Sequence, residues 1–340
     1  MGIPGNLVTT AMAVMPHRDV DRALPAALSL DVPFWPQLPL LSYYEDMYVQ
    51  ASGHFPGILA DMEKRTLRFS IEKFIIELED TLAHFEDPRY FDISDTYSVV
   101  YQRFLQMNLS DRVAIRGQLE GPISFGLNIL DQDHRPILFN DTVRSFMLDF
   151  MAKRLNTQLN RLKVLNPNAF MFVDEPGLQY IFSAMSGYDS ITARQDMERF
   201  FSGVERPRGV HLCGNPDWDF LLGLDLDVLS LDVYSNGEIF VSYAKSIQRF
   251  LERGGHLIWG IVPTNFEPFE KESIKSLEKR LLGYWQILER SGIDRQMVIS
   301  RSMLSPATCC LVNQDGVQTV EKAFERIKEL SEVLRDHFAV

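Results

Sequence analysis

Cysteine is scarce in this chain: three residues among 340, Cys213, Cys309 and Cys310, all in the second half. So few and so placed, they cannot build a disulfide framework, which excludes the small stapled secreted scaffolds. They predict a reducing, cytoplasmic setting in which thiols stay available for chemistry or metal binding. Basic charge is also short, with 34 Lys and Arg against 46 Asp and Glu and a net charge of −12. The cations are scattered, and phosphate binding needs them clustered, so a nucleic-acid partner is excluded. No apolar run approaches the roughly 20 residues that cross a bilayer, and the opening lacks the basic and apolar blocks of a secretory signal. No membrane partner is expected. Internal repeats, low-complexity tracts and Gly/Ser-rich linkers are missing too, so residues 1–340 read as a single domain.

What is present is alternation. Short runs rich in β-branched and aromatic residues at 7–15, 32–38, 112–119, 169–173, 209–212, 227–231, 256–262 and 297–300 predict strands. Helical periodicity predicts helices over 19–30, 71–85, 141–165, 192–201, 239–253, 271–291 and 320–337. Eight such units in one chain predict an α/β fold, a single (β/α)8 TIM barrel. Residues 41–108 interrupt the rhythm with a hairpin near 66–69 and two helices, an insertion between strands two and three over one end of the barrel.

Functional side chains of such a barrel gather at the C-terminal ends of its strands. The sequence places there Pro16-His17, Trp35-Pro36, Glu120-Gly121-Pro122, Asp174-Glu175-Pro176, His211-Leu212-Cys213, Asp232, and the run 306–310 that ends in Cys309-Cys310. His211 and Cys213 lie two apart, so on extended chain both point to one side. With Asp232 and one of the paired cysteines they form a nitrogen, sulfur and oxygen donor set suited to Zn²⁺. Asp174 and Glu175 either bind a substrate amine and exchange protons or cap the following segment. His17 either orients a substrate or caps a helix. Trp35, between prolines, is expected to wall the pocket, and Gly121 to let substrate approach the backbone closely.

Together these motifs resemble the superfamily that contains cobalamin-independent methionine synthase and uroporphyrinogen decarboxylase. The His-x-Cys, the acidic residue after strand six, the Asp-Glu-Pro, the Gly-Pro and the proline-to-cysteine run after strand eight are each similar to a segment of that family, as is the opening at 10–16. The resemblance implies a zinc-dependent thiol methyltransferase with His211, Cys213, Asp232 and Cys309 as ligands. Cys310 stands where the family has glycine, and Glu238 is the alternative to Asp232. One barrel, where the full-length synthase has two, implies methylcobalamin, free or on a corrinoid protein, as methyl donor. The acceptor it implies is a small-molecule thiol, homocysteine first, giving methionine, with Asp174 on the substrate ammonium. Four features depart from the family: Asp232 stands where methionine synthase has Glu, an extra residue separates the proline from the last cysteine, Ala13-Val14 replace a Gly-Ser, and Val49 stands where a Glu helps hold the homocysteine amine. Two other readings compete. One is a metal-free decarboxylase, although its arginine-bearing loop has no counterpart in 32–40. The other is a non-catalytic corrinoid-binding homologue.

Overall fold

A computed structural model describes residues 2–181 and 187–340. An antiparallel hairpin, β1 (Ile58–Asp61) and β2 (Thr66–Phe69), comes first, where the 66–69 run predicts one. Six parallel strands follow, each paired with the next: β3 (Arg116–Glu120), β4 (Phe170–Asp174), β5 (Arg208–Leu212), β6 (Val228–Asp232), β7 (His256–Val262) and β8 (Ser302–Pro306). Helices fill the connections. The longest, Asp141–Leu165, begins where the Asn140 side chain accepts from the Val143 N–H. It ends two residues before Pro167, with Asn166 as its C-cap, as the residue preceding a proline disfavours helix.

Two N-terminal segments lie between the outer strands of this sheet. Leu7 and Thr10 donate backbone bonds to Ser302 and Leu304 of β8, and Val32 donates to Thr9. Met15 and Gln37 bond the two segments further up, and Arg116 of β3 donates to Pro33. The expected strands at 7–15 and 32–38 are therefore present as isolated bridges, Thr9 to Leu304, Val14 to Gln37 and Phe34 to Arg116, rather than as regular ladders. Side chains take the backbone's place. The Asp31 carboxylate accepts from the Thr9 N–H and hydroxyl, and the Thr10 hydroxyl donates to the Val32 carbonyl.

Two further expectations need correction. The 297–300 run is not a strand but lies in the helix Arg295–Ser300, because Asp294 caps it by accepting from the Gln296 and Met297 N–H groups. The last strand is β8, five positions on. Its Ser302 is buried without loss, donating to the Val298 carbonyl and accepting from the Trp259 indole. The single helix expected over 239–253 is two, Val233–Val241 and Ala244–Glu252. Between them the Ser242 hydroxyl bonds back to the Ile239 carbonyl and closes the first helix.

Side chains alternate across each strand, so every second residue shares a face. One face packs on the helices in the main core. The other holds a smaller cluster that includes Met12, Phe170, Phe172, Val228, Ile258 and Met303. Arg116 belongs to this inner layer, 1% exposed, its guanidinium 4.6 Å from the Phe34 ring and 4.9 Å from the Phe172 ring. It donates to the Thr10 hydroxyl and the Gln118 amide oxygen, and burial pushes its pKa down to about 9. Among the described residues no helix is long and apolar enough to cross a membrane.

Candidate active site

Strand register builds the site. Arg116 pairs with Phe170, Gln118 with Phe172, and Glu120 with Asp174, all on the inner face. Asp174 pairs in turn with His211, and His211 with Ser230. One row at the C-terminal end of the sheet thus carries a carboxyl, a carboxyl, an imidazole and a hydroxyl side by side. Above it lies a cavity of 230 Å³. Glu120, Asp174 and Asp46 line one part of it, and His211, Cys213 and Cys309 another. Met12, Val14, Pro39, Met47, Pro176 and Leu311 make the apolar wall, with Tyr48 beside the acids.

The sulfur part is held by its own hydrogen bonds. His211 Nε2 lies 2.9 Å from Cys213 Sγ, and His211 Nδ1 lies 3.0 Å from the Ser230 hydroxyl, which fixes the ring. The Thr308 hydroxyl donates to Cys213 Sγ at 3.1 Å. Cys213 shares a hydrogen bond with Cys309; that bond, with burial, pushes the Cys213 thiol up, and the same bond draws the Cys309 thiol down. Cys310 turns away. Its thiol is buried and donates to the Asn265 side-chain oxygen at 3.1 Å.

The acidic part is dominated by burial. Glu120 is 3% exposed and sits well above the usual carboxyl range, through desolvation and then through the neighbouring Asp174 and Glu175. Burial also pushes Asp174 up to about 7, opposed by Arg116 beneath it. Asp46 and the Tyr48 hydroxyl are raised by burial as well.

The remaining candidates lie elsewhere. Glu175, expected to touch substrate, is fully buried and acts as a structural staple. It accepts from the Ile123 N–H at 2.9 Å, the Ser124 N–H at 2.8 Å and the Ser124 hydroxyl at 2.6 Å. Burial pushes it up to about 7 against those three donors. Gly121 serves that staple and not substrate approach, since a Cβ there would stand 2.2 Å from the Glu175 carboxyl carbon. Trp35 is not a cavity wall; it is wholly buried, edge-on to Tyr101 at 5.1 Å.

Asp232 caps the helix Val233–Val241 by accepting from the Ser235 N–H, and neither it nor exposed Glu238 lines the cavity. His17 lines a neighbouring cleft that shares Leu311 with the cavity. Its Nε2 meets Glu321 Oε1 at 3.1 Å, and burial lowers its pKa. Sequence reasoning placed Glu120, Thr308 and Asp46 in candidate segments without giving them a role, and passed over Ser230 and Tyr48. Glu120 and Ser230 carry a usable signal, since each lies an even number of residues from an inner-face neighbour on its own strand.

The donor types His211, Cys213 and Cys309 are those zinc prefers, and they share one wall. Among the described residues, however, no three His, Cys, Asp or Glu side chains converge as a finished metal site. Asp232, the expected oxygen ligand, is committed to its helix cap.

No protein-family model matches the chain, and no curated protein matches it in sequence. Solved structures do match in fold. One is a methyltransferase from Methanosarcina mazei, at a TM-score of 0.57 and 12% identity, covering 99% of this chain and 96% of that one. Another is a B12-independent methionine synthase from Shewanella sp. W3-18-1 in complex with selenomethionine, also at 0.57 and 12%, covering 99% and 97%.

Proposed function

We propose that the chain is a zinc-dependent thiol S-methyltransferase on a single (β/α)8 barrel, closed by the segments at 7–15 and 32–38, with 41–108 inserted over its functional end. One observation carries the reading: an imidazole and two thiols, His211, Cys213 and Cys309, share the wall of a small cavity at the C-terminal ends of the strands. The activities of the two structural neighbours, a methyltransferase and a B12-independent methionine synthase, agree with it. The insertion agrees as well, since Asp46, Met47 and Tyr48 bring it onto the cavity.

His211, Cys213 and Cys309 are the residues that would hold the ion. Held there, zinc would supply positive charge that lowers the pKa of a substrate thiol and keeps its sulfur nucleophilic. The chain's own residues do the rest. Ser230 orients the His211 ring, and Thr308 holds the Cys213 sulfur in place. The apolar wall flanks the reacting sulfur, and Asp174, one strand from His211, is placed to orient a polar group of the substrate.

Methylcobalamin, free or carried by a corrinoid protein, is the proposed methyl donor, and homocysteine the first thiol to assay. The test pairs metal analysis of zinc-loaded protein with loss of the methylcobalamin spectrum dependent on both enzyme and thiol. Turnover with methyltetrahydrofolate and none with methylcobalamin would overturn the donor. Zinc-loaded protein that transfers no methyl group to any thiol from either donor would overturn the reading.

A further inference from the structure

The ionisable groups on the cavity wall are unbalanced. Three carboxyls line it, those of Asp46, Glu120 and Asp174, and among the described lining residues there is no Lys or Arg. Arg116 does not compensate at the wall, because it is buried one layer below, between two phenyl rings and tied to Thr10 and Gln118. Within this group Glu120 stands out. It is 97% buried (3% exposed), Tyr48 is a hydrogen-bonding neighbour, and among the described residues its Oε1 has no partner. A buried carboxyl oxygen without a donor is rare in a folded protein, and here it belongs to a residue that lines a cavity large enough for a small molecule.

We propose that the thiol accepted here is a small aminothiol that carries an ammonium group and no carboxylate, with Glu120 and Asp174 receiving the ammonium. This rests on the S-methyltransferase reading and goes beyond it by fixing the charge of the substrate. An ammonium has three donors and no acceptor, which complements a wall rich in acceptors. A carboxylate on the same molecule would find acids and no cationic partner on one side and the side chains of Met12, Val14 and Leu311 on the other.

Spacing sets the length of the molecule. Glu120 and Asp174 are paired across β3 and β4, and Asp174 is paired with His211 across β4 and β5. Asp174 therefore stands about one strand spacing, ~4.8 Å, from the imidazole of the sulfur part, and Glu120 about two, ~9.6 Å. A link of two or three carbons between nitrogen and sulfur spans the first distance and leaves the ammonium between the two acids.

Calorimetry on the purified protein, with no methyl donor present, reads the ammonium site directly. The probes are 2-(methylthio)ethylamine, 2-(methylthio)ethanol and methionine. The amine should bind at least about tenfold more tightly than either of the others, the effect of one charge-assisted contact. Glu120→Gln should erase that advantage, and Asp174→Asn should reduce it if the first variant folds poorly. In the methyl-transfer assay cysteamine should exceed homocysteine in kcat/KM by a similar factor. Methionine binding as tightly as the amine, or an amine advantage untouched by both variants, overturns the proposal and leaves thiol methylation standing. Glu120-dependent amine binding with no methylation of any thiol overturns the methyltransferase reading and leaves the ammonium site standing.

Discussion

The two parts of the rim are built on different plans. On β3 and β4 the acidic part is anchored in the architecture: Glu175 ties the turn after β4 to the start of the helix Pro122–Asn128, and Gly121 exists to admit it. Around β5 and the segment after β8, the sulfur part is held by soft contacts among its own members, His211 to Cys213 and Cys213 to Thr308 and Cys309. The first kind of site is costly to disturb and keeps its shape. The second can exchange its internal hydrogen bonds for another partner. Rigid acids beside adaptable sulfurs suit a reaction in which one end of the substrate is located and the other is activated.

The largest effect should come from the adaptable side. Cys213→Ser is expected to abolish zinc retention and cut methyl transfer by at least ~100-fold, while the unfolding midpoint barely moves. Metal analysis beside denaturant titration checks both halves; a strong loss of stability would erase the contrast. Glu175→Gln should do the reverse. It places an amide donor against the Ser124 and Ile123 donors and should cost about 2–3 kcal/mol of stability by urea titration. A stable variant with lost activity would return Glu175 to the substrate.

A smaller effect, with a definite sign, belongs to Asp174. Burial holds its carboxyl at about 7 against an ordinary 3.8, so the folded state keeps a proton that the unfolded chain has released. Its contribution to stability is complete below about pH 4 and is lost as pH rises through about 7. Asp174→Asn should therefore match the wild type near pH 4 and exceed it by about 1–2 kcal/mol at pH 8. Equal stabilities at pH 8 would refute the shift. The smallest effect sharpens the ligand assignment: Cys310→Ser should retain zinc and cost no more than about 1 kcal/mol, whereas Cys309→Ser should lose metal. The opposite ranking would move the ligand by one residue.

Long, strongly patterned elements could be read from the sequence. The helix Asp141–Leu165 and the strand His256–Val262 fall at the bounds their periodicity predicts. Misreadings arose where a side chain overrode an apolar run: Asp294 turned 297–300 into a helix, and Asp31 interrupted the strand pairing at Thr9. At the site, strand-end position was enough to single out Asp174, His211, Cys213 and Cys309, all of which line the cavity. It was not enough for Glu175 and Glu120, one on each side of the β3–β4 pair. The sequence shows two acids after a strand and one before a Gly-Pro, but register decides which face the cavity. The resemblance pointed to the segment around Val49, but nothing local to 41–108 says that Asp46 and Tyr48 are the side chains that reach the cavity.

The bonds that hold the two N-terminal segments bear on the order in which the chain can fold. Leu7 and Thr10 find their backbone partners on β8, the Leu7 carbonyl accepts from Ser331, and Asp31 pairs with Arg335. These contacts join residues about 300 positions apart, so the earliest-made segments wait for the latest before they can settle. Until then β3 and β8 are both unpaired edges, open to strands of another molecule. Chains halted on the ribosome before residue 302 should thus be the aggregation-prone species, and the seating of residues 7–15 the slow, concluding event of refolding.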